Sequence, residues 1–240
     1  SEGVYIDADG HYPERSGIYS GVENTAFITI ARLTNKPSLF AAVRKNLAMY
    51  RYYIELNGEL VRNDSRRQDQ YEAAAKTSTL FYLQCRYMAI AEKNRQFAGV
   101  AKMIESTAGF EKDILERSLF YFLEDEILQQ ELPTAEPIPD RYEKLFPTSH
   151  LLRIKEKNTS VTLFGGVDWP LIVASGRSNS PDFFSYRKGD AILKYMRLSS
   201  NFFSMGYFYS DGLRKEGNSY VLSKKLEIPY YQPMPQEKRK

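Results

Sequence analysis

With 240 residues, of which 42% are apolar and 14% aromatic, the chain has ample material for a core, and full disorder is excluded. A formal charge of +3, from 33 basic and 30 acidic residues, does not mark a nucleic-acid binder unless the cations cluster. One cysteine, Cys85, and two histidines exclude an intrachain disulfide and argue against a Cys/His zinc site, and no stretch approaches the roughly 18 apolar residues of a membrane span.

From Ile18 to about Glu131 the apolar residues recur with helical period, and from about Ser149 onward with strand period. Ile18, Val22, Ala26, Ile30 and Leu33 share a face and predict a first helix that stops before Asn35-Lys36-Pro37. Leu39, Val43, Leu47, Tyr50 and Ile54 predict a second, ended by Asn57-Gly58. A third is expected from about Gln68 to Glu92, with Leu80, Leu83, Tyr87 and Ile90 as its stripe and the alanines at 73–75 as helix formers. Asn94 caps a short fourth helix with Phe97, Val100, Ala101 and Ile104 inward, and a fifth starts near Phe110.

Pro133, Pro137, Pro139 and Pro147 then interrupt the chain, which reads as a connection. Short strands are expected at 152–155 and 161–164, divided by Lys157-Asn158-Thr159, then at 171–174, 191–198, 203–209 and 220–228, with a turn at Glu216-Gly217-Asn218. The gaps are too short for helical crossovers, so the pairing should be antiparallel. The predicted organisation is a multidomain α+β chain: a helical-hairpin array over 1–132, a proline-rich linker over 133–148 and an antiparallel β-sheet or sandwich over 149–240. A single α+β domain with helices on one face of the sheet is the alternative. The tail from Pro229 reads as an extended arm. The chain opens at Ser1 without the basic and apolar tracts of a signal peptide, and this start reads as a mature form or an expressed portion.

Two polar clusters precede helices. The first, Asp9-Gly10-His11-Tyr12-Pro13-Glu14-Arg15-Ser16-Gly17-Ile18-Tyr19, gathers acids, a histidine, an arginine and two tyrosines. The second is Asn63-Asp64-Ser65-Arg66-Arg67-Gln68-Asp69. Adjacent arginines at a helix start oppose the positive helix terminus, so nearby acids or a bound anion must compensate. Alternate helices of an antiparallel array start on the same side, which places both clusters at one end. Removing the proton beside a uronate carboxyl requires a cation on that carboxyl and groups that move protons. Arg15, Arg66 or Arg67 suit the first task, and Tyr19, His11 and Glu14 the second, with Gln68 and Asp69 beside the substrate. Each cluster also has a plain reading. Asp9-Gly10 is then a turn, Ser16 an N-cap and Glu14-Arg15 a surface pair, while Ser65 or Asp64 caps a helix and both arginines are solvated. Paired carboxylates drawn from Asp9, Glu14, Asp64 and Asp69 would instead suit glycoside hydrolysis. Trp169 offers sheet packing or a sugar-stacking surface. The loops at 177–180 and 187–190 can meet the helical end across a cleft. No cofactor or metal is assigned, although a carboxylate-rich metal site stays open.

The run from Asp9 to Tyr19, followed by Ser65-Arg66-Arg67-Gln68-Asp69, resembles the helical-toroid polysaccharide lyases of the heparinase II/III and alginate-lyase-like type. In layout the resemblance spans about two thirds of the chain, but its distinctive residues cover only about twenty positions. It implies the last part of an α/α toroid followed by the start of a β-sandwich, in an exported bacterial protein, periplasmic or secreted, that cleaves an acidic polysaccharide by β-elimination. It places the working tyrosine at Tyr19 and its acidic neighbour at Glu14, with the loop arginines on the substrate. The chain departs from that group in being shorter, in having too few helices to close a toroid, and in lacking a histidine between Asn179 and Gly189. A missing domain or a second copy would then complete the groove. A non-catalytic glycan-binding or structural role for the same architecture is the alternative.

Overall fold

The computed structural model describes residues 4–71, 78–166, 182–199, 201, 207–227 and 235–238. These form a mixed α+β fold in which a helical region precedes two antiparallel sheets. Its α-helices are α1 (Gly17–Thr34), α2 (Phe40–Tyr50), α3 (Tyr82–Ala91), α4 (Arg95–Glu105), α5 (Phe110–Arg117) and α6 (Leu119–Glu124). The strands are β1 (Arg141–Phe146), β2 (Leu151–Glu156), β3 (Thr159–Phe164), β4 (Phe184–Lys188) and β5 (Ala191–Met196), which form one sheet in chain order, and β6 (Leu213–Glu216) with β7 (Ser219–Leu222), which form a separate hairpin.

Several local expectations meet their physical reason. Asn94 caps α4 by accepting from the N–H groups of Gln96 and Phe97 at 2.9 and 3.1 Å, and Phe97, Val100, Ala101 and Ile104 are all buried. β2 and β3 form a hairpin around Lys157-Asn158, and β6 and β7 turn at Gly217, where φ is 57°.

Other elements differ. The stripe Ile18, Val22, Ala26, Ile30 and Leu33 lies on the exposed side of α1, with Leu33 74% and Val22 62% accessible. The buried face carries Gly17, Ser20, Gly21, Asn24, Ile28 and Ala31 instead. Small residues win that side because neighbours press close: a Cβ on Gly17 would meet Leu60 Cδ1 at 2.7 Å. The second helix stops at Tyr50, and the chain then bends back so that Ile54 bridges Leu60. The expected third helix contains short 3₁₀ turns at Gln68–Tyr71 and Ser78–Phe81 before α3; the alanines at 73–75 lie outside the described residues. The fifth breaks at Ser118 into α5 and α6. Residues 141–146, assigned above to the linker, form β1 and pair with β2 along their whole length, because Pro139 and Pro147 fall just outside the strand. Residues 184–188, with no strand assigned, form β4. The strand expected at 171–174 lies outside the described residues, as does most of 203–209.

One apolar cluster contains both helical and sheet residues. Tyr53 stacks edge-on against Phe146 at 5.1 Å between ring centres, and Leu151 and Phe164 join Val43, Leu47 and Phe81 in the same core. A buried ion network also crosses the boundary. Glu55 Oε1 accepts from Arg153 Nη2 at 2.5 Å and from Ser160 Oγ at 2.8 Å, while Arg153 Nε donates to the Tyr52 carbonyl at 3.0 Å. Burial by itself pushes the Glu55 carboxyl up, but the charges of Arg153 and Lys155 and the hydrogen bonds from Ser160 and Arg153 outweigh it and hold the group at about 2.

A carboxyl held below its ordinary range stabilises the fold above its unfolded pKa and loses that contribution as the pH falls toward the folded value. Between about pH 4.5 and 2, roughly 3 kcal/mol of stability should therefore disappear in denaturant titrations. Glu55→Gln should flatten that acid limb and cost about 3 to 5 kcal/mol at neutral pH, because Arg153 is left buried without its carboxylate.

Candidate functional site

The two polar clusters meet. Asp7 Oδ1 gathers the N–H groups of Asp9, Gly10 and His11 at 2.9 to 3.0 Å, which folds the first cluster into a tight turn. Gly10 closes that turn at φ 108°, and a Cβ there would sit 2.7 Å from the Lys45 carbonyl oxygen. A buried polar chain then ties the turn to the helices: Tyr12 Oη donates to Asn24 Oδ1, Asn24 Nδ2 to Asn46 Oδ1, and Asn46 Nδ2 to the Gly10 carbonyl, each at 2.8 Å.

The clasp between the clusters is Asp69. Its buried carboxylate accepts from Ser16 Oγ at 2.7 Å and from Ser65 Oγ, so Ser16 serves this carboxylate and makes no side-chain cap to α1. Arg66 is buried against the first cluster, donating from its backbone N–H to the Glu14 carbonyl at 3.0 Å and from Nη1 to the Pro13 carbonyl at 2.9 Å. Arg67 reaches the surface. Its Nη2 donates to Tyr19 Oη at 3.0 Å, its Nη1 lies 3.5 Å from Glu14 Oε1, and its guanidinium carbon sits 4.8 Å from the centre of the Tyr19 ring. The adjacent arginines are thus compensated by Glu14 and by carbonyl oxygens. Tyr19 and Gln68 are exposed, and Glu14, Arg15 and Arg67 are half-buried, so these five residues form the accessible part of the site.

The remaining residues lie elsewhere. His11 is buried, its Nε2 3.1 Å from Tyr53 Oη and 3.2 Å from Asp64 Oδ2. Tyr53 Oη already donates to Asp64 Oδ2 at 2.8 Å, so Nε2 must carry the hydrogen for either contact, and the buried Nδ1 has no hydrogen-bond partner. Burial raises the Asp64 carboxyl, but His11, Arg15 and the Tyr53 hydroxyl together hold it below the ordinary aspartate range. Arg15, at φ 49°, sends Nη2 toward the Thr148 carbonyl at 3.5 Å, while Asp9 Oδ2 accepts from the N–H groups of Thr148 and Ser149 at 2.7 and 3.0 Å. The first cluster therefore also pins the chain where it enters β2. Trp169 and the loop at 177–180 lie outside the described residues.

One feature has no counterpart in the sequence reading. Glu23, one helical turn beyond Tyr19, is pushed up to about 7 by burial and then by the neighbouring Glu14 charge. As the only acid in α1 it could have been noticed from its spacing to Tyr19, although nothing in the sequence indicates its burial. A small cleft of about 60 Å³ lies between residues 55–63 and the sheet, where Glu59 Oε2 accepts from Lys194 Nζ at 3.1 Å and from Arg187. That pair carries the loop at 187–190 to the helical region. Asp182 lines the same cleft and is raised to about 6 by burial, despite backbone N–H donors from Tyr195 and Met196.

Among the described residues, no group of three or more His, Cys, Asp or Glu side chains is placed to hold a metal ion, and no helix is long and apolar enough to cross a membrane. No family model, curated protein or solved structure matches the chain.

Asp69→Ala should cost about 3 kcal/mol in equilibrium denaturation, since two hydrogen bonds to a buried carboxylate are lost and two serine hydroxyls are stranded. Glu23 gives a pH test of opposite sign to Glu55. A carboxyl raised in the folded state withdraws stability as the pH climbs from its unfolded value through about 7. Glu23→Gln should therefore stabilise the protein relative to wild type at pH 8 and much less at pH 5, read as the difference in melting temperature.

Proposed function

We propose that the chain processes an acidic polysaccharide by lyase-like β-elimination at a uronate residue. The observation that carries this reading is the contact of Tyr19 Oη and the Glu14 carboxylate with one accessible guanidinium, that of Arg67. The required chemistry has three parts. The carbon beside the uronate carboxyl gives up a proton, the electron pair forms a carbon–carbon double bond, and the glycosidic oxygen leaves with a proton. Because Tyr19 Oη accepts from Arg67, its own hydrogen is available to the leaving oxygen. Glu14 is the carboxylate beside the same guanidinium and is assigned the proton taken from carbon. Arg67, with Arg15 alongside, offsets the uronate charge, as planar guanidinium forks suit carboxylates. Gln68 supplies an exposed amide for sugar hydroxyls. On this reading the helical region is part of an α/α toroid and the sheet part of a β-sandwich, in a periplasmic or secreted protein whose groove a further domain or a second copy completes.

A second reading, glycan binding without turnover, is favoured by one observation: His11, the natural proton carrier near neutral pH, is buried against Asp64 and Tyr53. Incubation with uronate-containing polymers separates the readings. Elimination generates the ultraviolet absorbance of an unsaturated uronate, hydrolysis generates reducing ends without it, and binding generates neither. Tyr19→Phe should lower the absorbance rate by at least about 100-fold while leaving the melting temperature near that of wild type. Undiminished turnover in that variant would remove Tyr19 from the mechanism.

A further inference from the structure

Little positive charge is left over around the Tyr19 site, and that limits what a substrate can carry. The two clusters hold four carboxylates, those of Asp9, Glu14, Asp64 and Asp69, against three guanidiniums, those of Arg15, Arg66 and Arg67. Each guanidinium already has a task. Arg66 is buried and donates from Nη1 to the Pro13 carbonyl. Arg15 is half-buried, and its charge helps to hold the buried Asp64 carboxyl below the ordinary aspartate range. Arg67 reaches the surface but shares its charge with Glu14, whose Oε1 lies 3.5 Å from Nη1. The exposed groups beside it in the site, the Tyr19 hydroxyl and the Gln68 amide, are uncharged.

The cations along the boundary between helices and sheet are engaged in the same way. Arg187 and Lys194 both reach Glu59, and Arg153 and Lys155 both reach Glu55. The cleft at that boundary is lined by three acids, Glu55, Glu59 and Asp182, and three bases, Arg62, Arg187 and Lys194, so it adds no surplus of positive charge. One carboxylate on a sugar can be met by a single planar guanidinium fork. A sulfate ester on the same or the next sugar brings a second full charge, ionised at every working pH. It would have to give up hydration and lie near Glu14 with no further cation to meet it, which disfavours binding. Unmodified hydroxyls suit the uncharged groups that are present.

Resting on the uronate reading of the Tyr19 site, we propose that the substrate is a uronate polymer without sulfate esters, its carboxylate taken by Arg67 and its adjoining hydroxyls by Gln68. Three backbones, chondroitin, heparosan and polymannuronate, are offered to the whole chain, each unsulfated and chemically sulfated. Salt is kept at about 0.15 M so that loose attraction of polyanions is screened. In a pair that is turned over, the unsulfated member should give the ultraviolet product with kcat/KM at least about tenfold above its sulfated counterpart. Gln68→Lys, which sets a cation at an exposed position of the site, should narrow that ratio to less than about threefold. Equal or faster turnover of the sulfated member overturns the exclusion of sulfate and leaves the elimination reading standing. Turnover of no polymer overturns elimination instead, and the ratio is then read from equilibrium binding of the fluorescein-labelled polymers. Tighter binding of an unsulfated member there supports the exclusion of sulfate, whereas equal, reversed or absent binding ends it. A ratio that Gln68→Lys leaves unmoved also overturns the proposal, since charge would not be its cause.

Discussion

Asp69 accepts hydrogen bonds from Ser16 at the start of α1 and Ser65 in the second cluster, so one buried carboxylate joins the two segments that carry the accessible candidate groups. Fixing Ser16 orients the first turn of α1 and with it Tyr19; fixing Ser65 sets the direction in which Arg66 and Arg67 leave the chain. Arg66 then turns inward to the Pro13 carbonyl and Arg67 outward to Tyr19 and Glu14. Two neighbouring arginines with like charge are thereby separated by function, one structural and one exposed. A buried carboxylate is costly unless its oxygens are satisfied, and both oxygens of Asp69 are. The same requirement makes the clasp specific, since a slipped loop would leave the charge buried and bare.

The junction between helices and sheet follows similar logic with larger groups. Tyr53, Phe146 and Leu151 supply apolar contact there, but contact of this kind is non-directional and tolerates rotation of one layer over the other. Glu55 and Arg153 do not, because each is buried and depends on the other's position. Asp9 adds a third constraint by gathering the Thr148 and Ser149 N–H groups, so the first cluster is anchored to the sheet as well as to α1 and α2. Polar pairs across this boundary set the angle at which the sheet meets the candidate site.

Much of this arrangement was legible from local rules. Asn94 announces α4, Lys157-Asn158 and Gly217 announce hairpins, and the two clusters were expected at one end of the helices, where Arg67 does meet Tyr19. The misreadings have a common origin in tertiary choice. On α1 the apolar stripe looked like the core face, yet Gly17, Gly21 and Ala31 pack inward because they let Leu60 and Leu80 come close, and Asn24 joins a polar chain that no periodicity reveals. The prolines flanking β1 made a whole segment look irregular, although none lies within the strand. His11 is another such case. Composition suggests a proton carrier on a polar loop, but Tyr53 and Asp64, distant in sequence, draw it into the interior.

That interior position divides the ionisable groups into two sets with different tasks. Arg67 touches both Tyr19 and Glu14 on the accessible side. His11, Asp64 and Tyr53 form a buried set that joins the first cluster to the second through the turn that follows α2. Each side chain of that second set is almost fully buried. His11 therefore has a packing role here: it sits beside Asp64, which precedes Ser65-Arg66-Arg67 in the chain, while the Arg67 guanidinium lies over Tyr19. Glu23, one turn beyond Tyr19, lies close enough to Glu14 for their charges to repel, and burial together with that repulsion raises its carboxyl to about 7.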